Sequence, residues 1–146
     1  MLGRLARWLR ILGYDTRYER DIDDRVLLEE ALSENRIILT RDTGITKIRT
    51  NAHIIFLESE KPRFQLQQLM TECGISLDRE RLFSRCSWCN QILEDVDKAD
   101  AAGKVPPYVF ATEKRFRHCR HCDKIYWRGT HQGRFLTQLF KNGPSI

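Results

Sequence analysis

Apolar side chains recur at helical spacing in three stretches of the first half of the chain. Leucine occupies every third or fourth position over residues 2–12, and Gly13 follows, as is typical of a helix end. The same spacing predicts a second helix around residues 26–32 and a third over residues 64–74. A shorter helical stretch is expected near residues 45–49.

Short apolar runs alternate with these helices. Residues 14–18, 36–40 and 52–57 are predicted to be strands. Continuous apolar strands between amphipathic helices are typical of a parallel sheet with helices on both faces. The sequence therefore predicts an α/β fold, and its alternation begins with a helix that has no strand ahead of it.

The pattern changes after residue 74. Residues 75–85 are predicted to be a connection, and residues 86–127 lack long periodic segments and contain a Pro-Pro pair. A closing helix is predicted over residues 130–141. We expect two domains, residues 1–80 and residues 81–146.

Four of the five cysteines form two Cys-x-x-Cys pairs, Cys86 with Cys89 and Cys119 with Cys122. This spacing lets both thiolates of one tight turn reach a single zinc ion, and four thiolates complete a closed, structural site. The 29 residues between the pairs exceed the roughly 15–20 of a common ribbon, which predicts an insertion near residues 95–103. Redox pairs, an iron site and unligated thiols are the alternatives to structural zinc.

The net charge of +5 lies in the cysteine-bearing half. Residues 1–80 carry 13 basic and 14 acidic side chains, and residues 81–146 carry 12 and 6. A basic surface attracts a polyanion, most commonly a nucleic acid, although ordinary solubilising charge explains the composition equally well. No apolar run approaches the roughly 20 residues of a membrane helix, and no secretory signal is visible. We expect a cytoplasmic protein.

Carboxylates lie at positions where α/β enzymes place active sites. Asp24 starts a predicted helix and Asp42 follows a buried strand, so both are expected at the carboxyl edge of the sheet, with Asp23 nearby. Such carboxylates can hold Mg²⁺ or Mn²⁺, which activate water and stabilise the charge of a phosphodiester under attack. Aspartate is also a preferred helix N-cap, and capping explains the same positions without a metal.

Several arginines can contribute to the same cleft. Arg41 precedes Asp42 and can pair with a phosphate, and the first helix carries Arg4, Arg7 and Arg10. Arginines on an amphipathic helix more often form a solvated face. Near the cysteines, Trp88 and Trp127 are expected to pack in the core of the ribbon.

Together these motifs resemble the Mut-seven C-terminal RNase domain family. The resemblance covers nearly the whole chain and rests on the segments MLGRLARWLRILGY, DIDDRVLL, ILTRD, CSWC, CRHC and KIYWRG. It implies a PIN-like nuclease fold joined to a C-terminal zinc ribbon. It also implies a metal-dependent ribonuclease acting on RNA, with Asp24 and Asp42 among the acidic ligands of Mg²⁺ or Mn²⁺.

The resemblance further implies a strand and an acidic residue ahead of residues 1–14. Family members deliver an Asp just before this segment, whereas the sequence here starts at its Met. An upstream start codon and a degenerate remnant both account for the difference. Our leading expectation is a PIN-like ribonuclease that lacks one acid as the sequence stands. The alternatives are a non-catalytic nucleic-acid-binding protein that acts through its ribbon and a protein-interaction module.

Overall fold

A computed structural model describes residues 2–127 of the 146-residue chain. Contacts divide the chain into two compact units. The first unit comprises the residues up to Leu5 together with Arg17–Ile75, and the second comprises Ala6–Thr16 together with the residues from Ser76 onward. Helix α1, Gly3–Ile11, contributes residues to both. Residues 6–16 group with the cysteine-bearing part, and the later change of unit falls between Ile75 and Ser76. The division into domains at residue 80 stays a prediction.

The first unit contains a two-stranded parallel sheet and three helices of its own. Its elements in chain order are α2 (Asp24–Glu34), β1 (Ile38–Thr40), α3 (Thr43–Thr46), β2 (Ile54–Phe56) and α4 (Pro62–Cys73). Ile38 lies opposite Ile54, and Thr40 lies opposite Phe56. The predicted mixed α/β class is confirmed. A PIN-like topology with helices on both faces stays a prediction.

Apolar residues of these elements form the core of the first unit. The nearly fully buried ones are Leu5, Ala31, Ile38, Ile45, Ile55, Leu57, Leu66 and Leu69. Helices α2 and α4 end at Asn35 and Gly74, whose φ angles of 53° and 68° are typical of left-handed C-caps. The predicted helices and strands between residues 26 and 74 are confirmed, although both strands are shorter than predicted and the short helix α3 begins ahead of the predicted residues 45–49.

The predicted strand at residues 14–18 is wrong. Among the described residues this segment pairs with no strand, and hydrogen bonds to Asn90 and Ser76 hold it instead. The backbone N–H of Thr16 donates to Asn90 Oδ1 at 2.9 Å, and the hydroxyl of Tyr14 accepts from the backbone N–H of Ser76 at 3.0 Å. Because these bonds depend on residues far along the chain, periodicity did not distinguish this segment from a strand.

The second unit contains a three-stranded antiparallel sheet. Its elements after α1 are β3 (Glu94–Val96), α5 (Lys98–Ala101), α6 (Pro107–Thr112), β4 (Phe116–Cys119) and β5 (Lys124–Trp127). The strand order is β3-β4-β5. The insertion predicted at residues 95–103 is confirmed in part: Asp95 lies within β3 and pairs with Arg117, whereas α5 falls inside the predicted range. Helices α5 and α6 supply the extra length between β3 and β4.

Two small buried clusters hold the second unit together. Ala101, Val105, Val109 and Phe116 form one cluster, and Trp127 packs against it as predicted. The other consists of Leu93 with two of the cysteines. The predicted packing of Trp88 is wrong, since this side chain is 54% exposed. The helix predicted over residues 130–141 lies outside the described residues. Within residues 2–127, no helix is both long and apolar enough to cross a bilayer.

Candidate metal centre and candidate active site

The four paired cysteines converge on one point in the second unit. Their sulfur atoms all lie within 4.8 Å of one another, and the Sγ atoms of Cys89 and Cys119 are 3.4 Å apart. Tetrahedral zinc with Zn–S bonds of about 2.3 Å requires sulfur atoms about 3.8 Å apart. All the cysteines are free thiols. The cluster can therefore hold a metal ion such as zinc, as the spacing predicts.

Tight turns bring the sulfur atoms together. Cys86 and Cys89 flank a turn in which the N–H of Asn90 donates to the carbonyl of Cys86 at 2.9 Å. Cys119 ends β4 and Cys122 lies in the turn to β5, where Asp123 adopts a left-handed φ of 52°. A hairpin delivers the second pair because its register brings Cys119 opposite Lys124.

Cys86 is prepared to ligate a cation. Burial raises the pKa of its thiol, but the hydroxyl of Tyr126 at 3.0 Å and the backbone N–H groups of Cys89 and Trp88 outweigh burial and lower the pKa to about 7. Burial raises the pKa of Tyr126, so this hydroxyl stays protonated and donates to the thiolate. Such a donor fixes the orientation of a metal ligand.

Arg10 of helix α1 stabilises the turn between Cys86 and Cys89. Arg10 is 6% exposed, and its guanidinium donates to the carbonyls of Thr16, Ser87 and Trp88 at 2.8, 3.2 and 3.0 Å. Burial lowers the pKa of Arg10, and the neighbouring sulfur atoms of Cys89 and Cys86 oppose this shift. A buried cation beside four thiolates compensates part of their charge.

The histidines beside the second pair, His118 and His121, are not part of the cluster. His118 makes a 2.7 Å contact with Asp123 through Nε2, and His121 is exposed. Cys73 ends α4 in the other unit and is likewise not in the cluster. Among residues 2–127, the four cysteines are the one group of three or more Cys, His, Asp or Glu with ligand atoms this close.

The first unit contains a cavity of about 690 Å³ at the carboxyl end of β1. Thr40, Arg41 and Asp42 line it from the strand end. The remaining lining residues come from β1, from the N-terminus, from the segment before α2 and from α2 itself: Leu39, Leu2, Arg17, Tyr18, Glu19, Arg20, Ile22, Leu27 and Glu30. Three arginines and three carboxylates thus face one cavity at the sheet edge where α/β proteins bind ligands.

The three predicted acidic residues have different local roles. Asp42 is the N-cap of α3, and its Oδ1 accepts from the N–H of Gly44 at 2.7 Å. Asp23 is the N-cap of α2, and its Oδ1 accepts from the N–H of Arg25 at 2.9 Å. Asp24 is the first residue of α2 and is exposed. Asp42 lines the cavity, whereas neither Asp23 nor Asp24 is in its lining.

One protein-family model, the Mut7-C RNAse domain, matches residues 1–139. The chain belongs to the Mut7-C RNAse domain family. No curated protein and no solved structure matches the chain. Membership confirms the resemblance drawn from the sequence motifs, and it assigns the protein a nuclease or RNA-related function.

The arginines expected to bind substrate lie in different environments in this Mut7-C protein. Arg41 lines the cavity, and its Nη1 donates to the carbonyl of Leu57 at 2.5 Å. Arg4 is exposed and is absent from the cavity lining. Arg7 stacks on the ring of Trp88 in the second unit, 4.2 Å from Cζ to the ring centroid. Of these three arginines, only Arg41 lines the cavity, so the described cavity does not gather them in one cleft.

Sequence reasoning missed Arg17 and Arg20 as cavity residues. The run Arg17–Arg20 carried the available signal: two arginines flank an aromatic and an acidic residue, directly ahead of the acidic segment. Arg17 is held by Glu30 and Glu34 at 3.1 and 3.2 Å. The mistaken strand assignment for residues 14–18 hid this run.

Proposed function

We propose that this Mut7-C protein is a metal-dependent ribonuclease and that RNA is cleaved in the cavity lined by Asp42. The observation that carries the proposal is the position of Asp42, two residues beyond the buried end of β1 and facing a cavity that three arginines share. Family membership supplies RNA as the substrate class.

The donor set at this cavity suits Mg²⁺ or Mn²⁺. The cap bond engages Oδ1 of Asp42, so Oδ2 remains to bind a cation. Magnesium is commonly held by only one or two carboxylates, with waters and substrate phosphates as the other ligands. The family resemblance makes Asp24 our candidate for the second carboxylate and Asp23 a third candidate, although neither is in the cavity lining and Oδ1 of Asp23 already caps α2.

The bound cation would activate water and stabilise charge on the phosphodiester. Around it, Arg41 would orient the phosphate, since its bond to Leu57 fixes one end of the guanidinium. Arg20 is exposed at the cavity and has no carboxylate within 4 Å among the described residues, so it can pair with a phosphate oxygen. Thr40 fixes the backbone of Asp42, because its hydroxyl accepts from that N–H at 2.9 Å.

A cap-preserving substitution tests the proposal. Asn at position 42 can still accept the bond from Gly44 but has no charge to hold a divalent ion. We expect Asp42→Asn to lower Mn²⁺-dependent cleavage of single-stranded RNA by at least about 100-fold, since metal catalysis supplies several kcal/mol. Its thermal unfolding should match the parent protein.

Asp97→Asn is the matched control, because Asp97 precedes a helix of the second unit and its side chain makes no cap bond. Equal cleavage by Asp42→Asn and the parent protein would reject the assignment of Asp42. RNA binding without cleavage by any variant would favour the alternative, a non-catalytic nucleic-acid-binding protein.

A further inference from the structure

Trp88 is an exposed aromatic side chain on a firmly held turn. It lies between Cys86 and Cys89 in the sequence and is 54% exposed. The backbone beneath it is fixed, because its carbonyl accepts from Arg10 at 3.0 Å and the neighbouring Ser87 is buried. A large ring presented to solvent on a rigid turn is poorly explained by core packing.

Two cations lie against this ring. Arg7 Cζ is 4.2 Å from the ring centroid, and Lys124 Nζ is 4.0 Å from it. Arg7 comes from α1 and Lys124 from β5, so the fold of the second unit gathers them from distant parts of the sequence. Within the described chain neither has a carboxylate within 4 Å, whereas Arg120 of the same unit pairs with Glu94 at 2.8 Å.

We propose that Trp88, Arg7 and Lys124 form a binding site for one nucleotide of single-stranded RNA. This inference rests on the proposed function for the identity of the polymer. The RNA base stacks on the indole of Trp88, and the two cations pair with the adjoining phosphates. We name these three residues the Trp88 site.

The exchange of partners on binding is favourable. A cation–π contact at an exposed site is weaker than the stacking of a base on an aromatic ring, so an incoming base displaces a flexible cation from the ring face. The displaced cation then finds a phosphate of the same nucleotide, and this pair is stronger than its contact with the ring. Every base can stack on an aromatic ring, so we expect the site to have little sequence specificity.

Binding is measured with a fluorescein-labelled single-stranded 12-mer of RNA and no divalent cation. The Asp42→Asn background prevents cleavage from interfering. We expect Trp88→Ala to raise Kd about tenfold and Trp88→Phe to raise it much less, because stacking is lost only in the first. Tyr108→Ala is the matched control: Tyr108 is 68% exposed in the same unit, and no described cation lies over its ring.

The cations are tested by the salt dependence of Kd. The double variant Arg7→Gln with Lys124→Gln should reduce the slope of log K against log salt by about 0.7 for each charge. Lys98→Gln is its control, since Lys98 lies 4.9 Å from the ring of Phe110 and not on Trp88. A 12-mer with abasic sugars should bind the parent protein and Trp88→Ala equally well.

Intrinsic fluorescence gives a second reading that does not depend on Trp88→Ala folding. RNA should quench the tryptophan emission of the parent protein, and this quenching should be lost in Trp88→Phe. Equal Kd values for Trp88→Ala and Tyr108→Ala, with quenching retained in Trp88→Phe, would overturn the site. An absence of RNA binding at low salt would also overturn the site. Binding of a protein at this surface in place of RNA would do the same.

The two proposals fail in different ways. Cleavage that requires Asp42, together with binding that ignores Trp88, overturns the Trp88 site alone. Binding that requires Trp88, with no cleavage by any variant, supports the Trp88 site and overturns only the proposed catalysis.

Discussion

The guanidinium of Arg10 donates a hydrogen bond to the main-chain carbonyl of Trp88, 78 residues later in the sequence. The same nitrogen donates to Ser87, and Nε donates to Thr16. One buried side chain on α1 thus satisfies carbonyls of the turn between Cys86 and Cys89. The metal turn and the part of α1 from Ala6 onward, which belong to the same unit, therefore support each other.

Arg10→Met should weaken both folding and metal binding. The substitution removes the charge and leaves three carbonyls without their donor, which should cost about 2–3 kcal/mol of unfolding free energy. Zinc affinity should fall about 10–100-fold, as for other residues that support metal ligands. Denaturant unfolding and competition with a chromophoric chelator measure the two effects.

Arg7→Met is the control for that experiment, because Arg7 lies on the same helix but is exposed. Its unfolding free energy and zinc affinity should stay close to those of the parent protein. Equal losses in the two variants would show that Arg10 has no special role in the turn.

Replacing one ligand should abolish stoichiometric metal. We expect one zinc per chain in the parent protein and much less in Cys119→Ser, with loss of the fold of the second unit, because binding energy in such sites is largely folding energy. Elemental analysis and near-ultraviolet circular dichroism measure this. Cys73→Ser should retain the metal, since Cys73 is outside the cluster.

Removal of the metal with a chelator should expose the thiols of the cluster to alkylation. Protection of all four thiols in the metal-loaded protein, and modification of them after chelation, is the expected result. Alkylation at the same rate in both states would contradict metal ligation by these cysteines.

The neighbouring acids Asp23 and Asp24 should separate stability from activity. Asp23→Ala removes the N-cap of α2 and should cost about 1 kcal/mol of unfolding free energy. Asp24→Asn leaves the cap in place and should keep that stability, but it should lower Mn²⁺-dependent cleavage if Asp24 holds the cation. Unaltered cleavage by Asp24→Asn would assign the cation to other ligands.

Two glycines with left-handed φ angles should respond differently to alanine. A Cβ on Gly13, where φ is +94°, would lie 2.4 Å from the carbonyl oxygen of Arg81. A Cβ on Gly74, where φ is +68°, would meet nothing within 4 Å. Gly74→Ala should cost about 1 kcal/mol from backbone strain alone. Gly13→Ala should cost clearly more, as measured by chemical denaturation.

Local sequence determined the elements whose signals are short-range. Leucine spacing and Gly13 specified α1, and the two Cys-x-x-Cys pairs specified a four-sulfur cluster, because both patterns act through neighbours within a turn or two. The position of Asp42 at the sheet edge was predicted for the same reason, since an acid directly after a buried strand lies there. Helix capping by Asp42 was the alternative prediction, and its bond from the N–H of Gly44 confirms that cap.

Tertiary structure decided the features that depend on contacts between distant residues. Periodicity assigned residues 14–18 to a strand, whereas bonds from Asn90 and Ser76 hold them as a connecting segment. Arg7 and Arg10 lie on the same helix, and the sequence does not distinguish them. The tertiary fold leaves Arg7 exposed and buries Arg10, whose guanidinium donates to the carbonyl of Trp88. Trp88 was expected in a core, but its turn directs it to solvent between two cations. A linear pattern encodes which residues prefer burial, while the fold determines which of them find partners.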